Sequence, residues 1–393
     1  MIAILILNFT LASKCGECHT DIYKEWKNSL HAQSFEDPVF QDVYKKIINP
    51  EEQKLCLTCH VPTVSETKDY MIKQEISKEG ITCDFCHSVR DVKNGNFELE
   101  IGNIKFGPIS DIPENLNIGH KNKYSEIFLK AEFCKTCHEF KNKYGVYVLD
   151  TYNEWKNSEY SAKGIHCQNC HMAEIPFTKI VDPKVYPSER FITDHKCLGG
   201  HSEIRLKKAA SLNVLYKIEK DKILTSVYVT NSESGHKLPT GVPIRRLILE
   251  VLLLNKYGEV LEKKEKVYQR VIVNKDNKVL SEMDEIFTEA YKVVEDNRIS
   301  PKETRREVFT FDIKDKGPYF LKTQLKYEYR IPFLEPDIML FVIQEKELLI
   351  ETERPLKIGN LSFIIFSLII FLIFVYILIS FLKTFKKEGK NGK

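Results

Sequence analysis

The chain has 393 residues, a formal net charge of +3, 43% hydrophobic residues and 29% charged residues. These values are ordinary for a globular protein of two or three domains. The charge is too balanced to indicate nucleic-acid binding, and no RNA- or DNA-binding motif is present. Nucleic acid is therefore not expected as a partner.

Residues 1–12 start with a short apolar run, Ile2–Leu7, and end at Ala12. This pattern predicts a short signal peptide cleaved near Ala12, although it lacks the basic residues that usually precede the apolar run. A buried N-terminal strand is the alternative.

Five CxxCH pentapeptides lie within residues 13–205. Their cysteines are Cys15 and Cys18, Cys56 and Cys59, Cys83 and Cys86, Cys134 and Cys137, and Cys167 and Cys170. The histidines that follow them are His19, His60, His87, His138 and His171. Random placement of the same residues gives about 0.01 such pentapeptides, and CxxCH is the attachment motif of c-type haem. The sequence therefore predicts five covalently bound haem c groups, each with one of these histidines on its iron.

Two other cysteine chemistries compete with haem. Cys197 is the only one of the 11 cysteines outside the pentapeptides, and a disulfide framework would need an even set with varied spacing. Paired CxxC motifs also bind zinc, but a zinc array does not require a histidine after every second cysteine. Haem remains the prediction, and zinc is the alternative.

The other six histidines bear on the sixth coordination position of each iron. His31, His120, His195, His201 and His236 are the predicted distal ligands, each weighed against a surface histidine, whereas His166 adjoins Cys167 and cannot reach the far side of its own haem. Methionine is scarce in this region, so ligation by two histidines is expected, which gives lower potentials than His/Met ligation.

The intervals between the pentapeptides are too short for each segment to bury a core of its own, so helices and loops are expected to wrap the haems. Helices are predicted at Asp21–Leu30 and Asn122–Phe133. A heptapeptide at residues 23–29 recurs at 152–158 with six of seven positions identical, and the two copies hold both tryptophans of the chain. The first copy is followed by His31, and the second by Tyr160 at the matching position. An open haem is therefore hypothesised near the second copy.

Residues 206–350 change character. Apolar runs at Ile223–Val229, Leu247–Leu254, Val308–Phe311 and Leu321–Tyr329 are separated by turn signals. Strands at this density predict an antiparallel β-sandwich. The fold class is therefore α+β, with a mostly helical and irregular haem domain followed by the sandwich.

The C-terminal part predicts a membrane anchor. After a linker at 351–360, residues 361–382 carry no charge, and 22 residues of helix span about 33 Å, enough to cross a bilayer. The tail at 383–393 is rich in lysine, which predicts that it is cytoplasmic. Haem attachment also takes place outside the cytoplasm. Both arguments place the haem domain on the extracytoplasmic, periplasmic face of a single-pass membrane protein. A buried globular helix is the alternative.

Several phrases resemble multihaem cytochromes c. They are Trp26, Ser29 and His31; Gly107-Pro108 with His120 and Cys134; the string at 167–172; and Gly235-His236 with Pro239-Thr240-Gly241. The nearest group contains the tetrahaem cytochrome of ammonia oxidisers and related extracellular cytochromes. The resemblance implies that His31 and His120 are distal ligands and that a β-sandwich follows the haem domain. This chain departs from that group in having five haem motifs and an anchor.

Two functions are compatible with these features. The first is electron transfer between a membrane donor, such as a quinol-oxidising enzyme, and an extracytoplasmic acceptor, with no catalytic residue. The second is a reductase of nitrite, hydroxylamine or a sulfur oxyanion, which needs an iron with an open position. All five pentapeptides end in histidine, which weakens the second hypothesis. A third possibility is that the sandwich docks a partner or another protomer.

Overall fold

The structure is a computed structural model that describes residues 9–112, 119–179, 189–314, 317–330, 338–352 and 366–379. Within these ranges the N-terminal half is a set of short helices and two-stranded ribbons, and the C-terminal half is mainly antiparallel sheet. The predicted α+β class is confirmed.

The named helices are short, and most precede residue 210. In chain order they are α1 Ala12–Gly16, α2 Thr20–Lys27, α3 Pro38–Lys46, α4 Pro50–His60, α5 Val64–Thr67, α6 Glu75–Lys78, α7 Cys83–Ser88, α8 Glu132–His138, α9 Thr151–Lys156, α10 Glu159–Ala162, α11 Cys167–His171, α12 Glu203–Ala209 and α13 Met283–Glu289, with a 3-10 helix at Glu126–Leu129.

Two-stranded ribbons join the N-terminal helices, and longer strands follow. They are β1 Val89–Lys93, β2 Asn96–Leu99, β3 Ile104–Gly107, β4 Lys121–Tyr124, β5 Phe140–Lys141, β6 Tyr147–Leu149, β7 Glu174–Lys179, β8 Glu189–Thr193, β9 Ala210–Glu219, β10 Lys222–Asn231, β11 Arg246–Leu254, β12 Val260–Tyr268, β13 Arg270–Val273, β14 Lys292–Asp296, β15 Thr304–Asp312, β16 Tyr319–Arg330 and β17 Ile338–Ile350.

Two antiparallel sheets form the C-terminal half. One has the order β15-β10-β9 and the other β12-β11-β16-β17. Buried residues alternate with partly exposed ones along β10, as expected for a strand with one face on a core. Side chains from both sheets share one hydrophobic cluster, including Ile223 and Phe311 from the first and Leu247 and Leu325 from the second. The four predicted strands lie within β10, β11, β15 and β16.

The same cluster contains two side chains from the N-terminal half, Val39 and Val148. Both are buried. The two halves therefore share one continuous core, and loops from the sheet region can pack directly against the helices that carry the CxxCH motifs.

The predicted helices are only partly correct. α2 spans Thr20–Lys27 and overlaps the predicted segment Asp21–Leu30, which extends three residues further. The second predicted helix, Asn122–Phe133, is wrong at its start, because residues Lys121–Tyr124 form β4 and pair in parallel with β3, and it is a 3-10 helix at Glu126–Leu129. Hydrogen bonding to β3 outweighs the local helical pattern, and α8 starts only at Glu132.

Both ends of the chain fall partly outside the described residues. The signal-peptide prediction concerns residues 1–12, of which 9–12 are described; Phe9 and Ala12 are buried there, and the amide of Ala12 bonds Glu79 at 2.9 Å. Residues 366–379 are helical. None of the helices in the described ranges is both long and apolar enough to span a membrane. The rest of 361–382, most of the linker and the basic tail lie outside the described residues.

Candidate haem-binding site

All five CxxCH motifs lie on helical turns. The second to fifth are contained in α4, α7, α8 and α11. The first begins in the last two residues of α1, and the amide of His19 bonds the carbonyl of Cys15 at 2.8 Å, a helical i to i+4 contact. A helical turn places residues i, i+3 and i+4 on one face. Each motif therefore presents two thiols and one imidazole on the same side, as haem attachment requires.

Cysteine side chains from different CxxCH motifs lie next to each other. The neighbouring pairs are Cys15 with Cys83, Cys59 with Cys137, and Cys134 with Cys167. All eleven cysteines are free. The first motif thus neighbours the third, and the fourth neighbours both the second and the fifth. Groups attached at these positions would lie close together.

Four predicted proximal histidines face a second histidine. The distances between ring centres are 6.0 Å for His19 and His120, 6.4 Å for His138 and His31, 6.4 Å for His87 and His195, and 6.2 Å for His171 and His236. A metal–nitrogen bond is about 2.0 Å and the nitrogen lies about 1.1 Å from the ring centre, so two imidazoles on opposite sides of one metal have centres about 6 Å apart. The four pairs therefore fit an iron between the rings.

Backbone carbonyls orient several of these rings. On the proximal side, Nδ1 of His87 lies 2.6 Å from the carbonyl of Phe106, and Nδ1 of His171 lies 2.7 Å from that of Leu198. On the distal side, Nδ1 of His195 lies 2.8 Å from the carbonyl of Thr193. Nδ1 of His236 and His120 also bonds a carbonyl. A hydrogen bond at Nδ1 fixes the tautomer and leaves Nε2 for a metal.

Burial keeps the histidines neutral. It lowers the pKa of His87 and of His138 to about 4, and it also lowers the pKa of His31, His195 and His236. Neutral imidazole is the form that binds a metal. These side chains are therefore ready to act as ligands at neutral pH.

His60 has a different environment. Its Nδ1 lies 2.9 Å from the carbonyl of Ser34, similar to the contacts of His87 and His171, but the ring of Phe40 stacks on its face with 3.8 Å between centres. Within the described part of the chain, no histidine ring lies opposite His60 at the spacing of the four pairs. A haem at the second motif would have an oriented proximal ligand and no histidine across the iron.

The other two histidines are used differently. His201, a predicted distal ligand, contacts the ring of Tyr329 edge-on at 4.9 Å and does not face any of the five proximal histidines at the pair spacing. Nδ1 of His166 accepts the amide of Ala131 at 3.2 Å. In the described ranges, no group of three or more His, Cys, Asp or Glu residues converges as a metal site.

The hypothesis of an open haem near the second heptapeptide is not supported by the spacing. His138 and His171, the proximal histidines on either side of that heptapeptide, both face another histidine. Tyr160 instead supports the loop of His236, because its ring lies 3.3 Å from the position that a Cβ on Gly235 would take. Unlike His31, it has a packing role.

Sequence reasoning missed a buried charge cluster beside His236. Glu154 pairs with Arg298 at 2.6 Å, with 2% and 4% of their side chains exposed. Asp296 pairs with Arg298 at 2.8 Å and with Lys237 at 2.9 Å. The only available signal was that Glu154 lies in the repeated heptapeptide.

The comparisons with known proteins agree with this site. A family model described as "Cytochrome c554 and c-prime" matches residues 14–88. The structure of a penta-heme cytochrome c552 from Thermochromatium tepidum is similar, with a TM-score of 0.72, 22% identity, and coverage of 88% of this chain and 100% of that chain.

Other matches carry no argument about function. A glycosyl hydrolase family 2 member from Bacteroides cellulosilyticus has a TM-score of 0.19, 15% identity, and coverage of 36% of this chain and 14% of that chain. A hypothetical protein from Pyrococcus horikoshii OT3 has a TM-score of 0.16, 16% identity, and coverage of 36% and 85%. A search of curated proteins found no match. The family match covers the first three CxxCH motifs, and the likeness to the c552 extends to the fold of most of the chain.

Proposed function

We propose that this chain is a membrane-anchored, extracytoplasmic pentahaem cytochrome that passes electrons between a membrane redox donor and an extracytoplasmic acceptor. The observation that carries the proposal is the set of four histidine pairs with ring centres 6.0–6.4 Å apart. Haem c supplies a one-electron couple at its iron.

The residues of the chain have three tasks in this function. The ten CxxCH cysteines attach the haems, and the closeness of cysteines from different motifs places neighbouring attachment points side by side. The paired histidines would hold four irons, each between two imidazoles, which would exclude substrate and favour low potentials. Burial of the rings keeps water away, and a carrier of this kind needs no proton transfer.

The haem count has a direct test. The mass of the denatured, intact protein should exceed that of the polypeptide by five haems, because thioether bonds survive denaturation. A Cys83→Ser and Cys86→Ser double variant should lose one of the five. No added mass on the wild-type protein would contradict the proposal.

The location is proposed from the sequence. The uncharged segment 361–382 anchors the chain and the basic tail stays in the cytoplasm. Protease added to sealed spheroplasts should then remove the haem domain. Cleavage confined to the lysine-rich tail would reverse the proposed orientation.

A second candidate function is reduction of nitrite, hydroxylamine or a sulfur oxyanion at the haem of His60. One observation favours it. Within the described residues, no histidine faces His60, and the ring of Phe40 packs against it instead. Electron paramagnetic resonance of the oxidised protein separates the candidates. One high-spin haem per chain supports the reductase, and five low-spin haems without a high-spin signal contradict it.

A further inference from the structure

The two repeated heptapeptides have the same local structure. The first covers residues 23–29 and the second 152–158. The side-chain amide of Asn28 donates to the carbonyl of Lys24 at 2.9 Å, and Asn157 donates to that of Asn153 at 2.8 Å. In each copy the serine amide bonds the tryptophan carbonyl, at 2.8 and 2.9 Å. The sequence repeat is therefore also a structural repeat.

The tryptophan of each copy holds the proximal side of a histidine pair. The indole N–H of Trp26 donates to the carbonyl of Ile81 at 2.8 Å, and that of Trp155 donates to the carbonyl of Ile165 at 2.8 Å. Each acceptor lies two residues before the first cysteine of a CxxCH helix, Cys83 in one case and Cys167 in the other.

The glutamate of each copy holds the distal side of the same pair. Oε2 of Glu25 accepts the amide of His195 at 3.0 Å. Oε2 of Glu154 accepts the amide of Lys237, next to His236, at 3.2 Å, and the hydroxyl of Thr240 at 2.6 Å. His195 faces His87 and His236 faces His171, the histidines of the two CxxCH helices that the tryptophans hold.

We propose that Glu25 and Glu154 are positioning residues for the distal histidines, and that each heptapeptide sets the separation of one histidine pair. The inference rests on the proposed function, since it assumes that an iron lies between the rings. A carboxylate is suited to this task because its hydrogen bonds to backbone amides are stronger than those of a neutral acceptor. The distal histidines come from distant segments, so they need a fixed anchor beside the proximal helix.

The two anchors differ in strength. Glu154 is 2% exposed and is paired with Arg298, which is itself 4% exposed. Glu25 is 17% exposed, and its partner Lys196 lies 3.6 Å away and is 46% exposed. Water can replace part of the contact at Glu25 but not at Glu154. Loss of Glu154 is therefore expected to have the larger effect.

The test is the number of high-spin haems in purified, fully haem-loaded protein, measured by electron paramagnetic resonance. Glu154→Ala should raise the number by one haem per chain, and added imidazole should return that haem to low spin. Glu25→Ala should raise it by a fraction of one. Glu25→Gln should raise it less than Glu25→Ala does, because its amide oxygen still accepts the amide of His195, through a weaker bond.

Matched controls are Glu159→Ala and Asp21→Ala, which remove exposed carboxylates paired only with Lys163 and Lys24. Both should leave the spin states unchanged. If the Glu154→Ala protein is not produced in a folded form, the inference is tested by comparing the number of high-spin haems in Glu25→Ala and Glu25→Gln. Wild-type spin states in the alanine variants would overturn the inference alone, whereas a wild-type protein without covalent haem would overturn the proposed function.

Discussion

The sites at His171 and His60 have the same orientation of the proximal ring but differ in the side chain that faces that ring. Both proximal rings are oriented through Nδ1 by a backbone carbonyl, that of Leu198 at 2.7 Å and that of Ser34 at 2.9 Å. His171 then faces His236 at 6.2 Å, whereas His60 packs under Phe40 at 3.8 Å. The proximal half of a haem site is thus local, but the distal half depends on another part of the chain.

The origin of His236 shows why the distal half is harder to build. It lies in the loop between β10 and β11, and the buried pair of Glu154 and Arg298 ties that loop to α9. The described residues around His60 provide a hydrophobic cluster of Phe40, Leu57, Val61 and Val64 instead. The site of His171 therefore offers a second histidine to an iron, whereas the described residues around His60 offer apolar side chains.

Removal of His236 should leave His171 without a facing histidine, as His60 is in the described residues. This is the largest expected effect. His236→Ala takes away one distal ligand, so the number of high-spin haems should rise by one per chain. The measurement is electron paramagnetic resonance, with the mass of the intact protein as the check that five haems remain attached. His201→Ala is the control, because His201 contacts Tyr329 and no proximal histidine; an equal rise in that variant would contradict the assignment.

Ligand binding should distinguish the sites in the unaltered protein. Reduced wild-type protein should bind one equivalent of carbon monoxide, because within the described residues His60 is the proximal ligand that no second histidine faces. His236→Ala should bind two. The measurement is an optical titration. Binding of no carbon monoxide by the wild type would mean that the His60 haem is also filled.

Phe40 should matter for the stability of the His60 site. It is 8% exposed, and replacement of a buried phenylalanine by alanine costs about 3–5 kcal/mol. Phe40→Ala should therefore lower the free energy of unfolding in urea by about that amount and change the absorption of one haem. Tyr257→Ala, at a residue that is 75% exposed, should change neither. Equal stabilities of the two variants would contradict the packing role.

The smallest expected effect concerns pH at the His236 side. Burial raises the pKa of Asp296, but the hydrogen bonds and charges of Arg298 and Lys237 outweigh it, so that the pKa lies well below its ordinary value. A carboxyl of this kind stabilises the fold above its unfolded pKa of about 3.9, and the stabilisation is lost as the pH falls further.

Asp296→Asn should therefore lower the free energy of unfolding by about 1–3 kcal/mol at neutral pH, the range of a hydrogen bond to a charged group. The difference from the wild type should shrink below about pH 4. Urea unfolding of both proteins at several pH values measures it. A difference that stays constant down to pH 2 would exclude the ionised carboxylate as its cause.

The sequence was informative where the pattern is local. The five CxxCH motifs predict the attachment residues, and apolar runs predicted the strands β10, β11, β15 and β16. Four of the five predicted distal histidines face a proximal one, including His236, which lies among the strands.

Long-range contacts account for the rest. The pairing of β3 with β4 replaced the start of a predicted helix, and His201 packs on Tyr329 from β16. The sequence also offered no means of deciding which distal histidine meets which proximal one. His31 faces His138, whose position in the chain is more than a hundred residues later. The pairing of such histidines depends on tertiary packing, and the local periodicity of the sequence carries no information about it.

The most direct test of the account is the location of the irons by anomalous diffraction at the iron edge from crystals of the haem-loaded protein. We expect five irons. Four lie between the rings of His19 and His120, His31 and His138, His87 and His195, and His171 and His236, and the fifth is bound by His60 with no side chain opposite. An iron with only one histidine at any of the four pairs, or a histidine across the iron of His60, would contradict it.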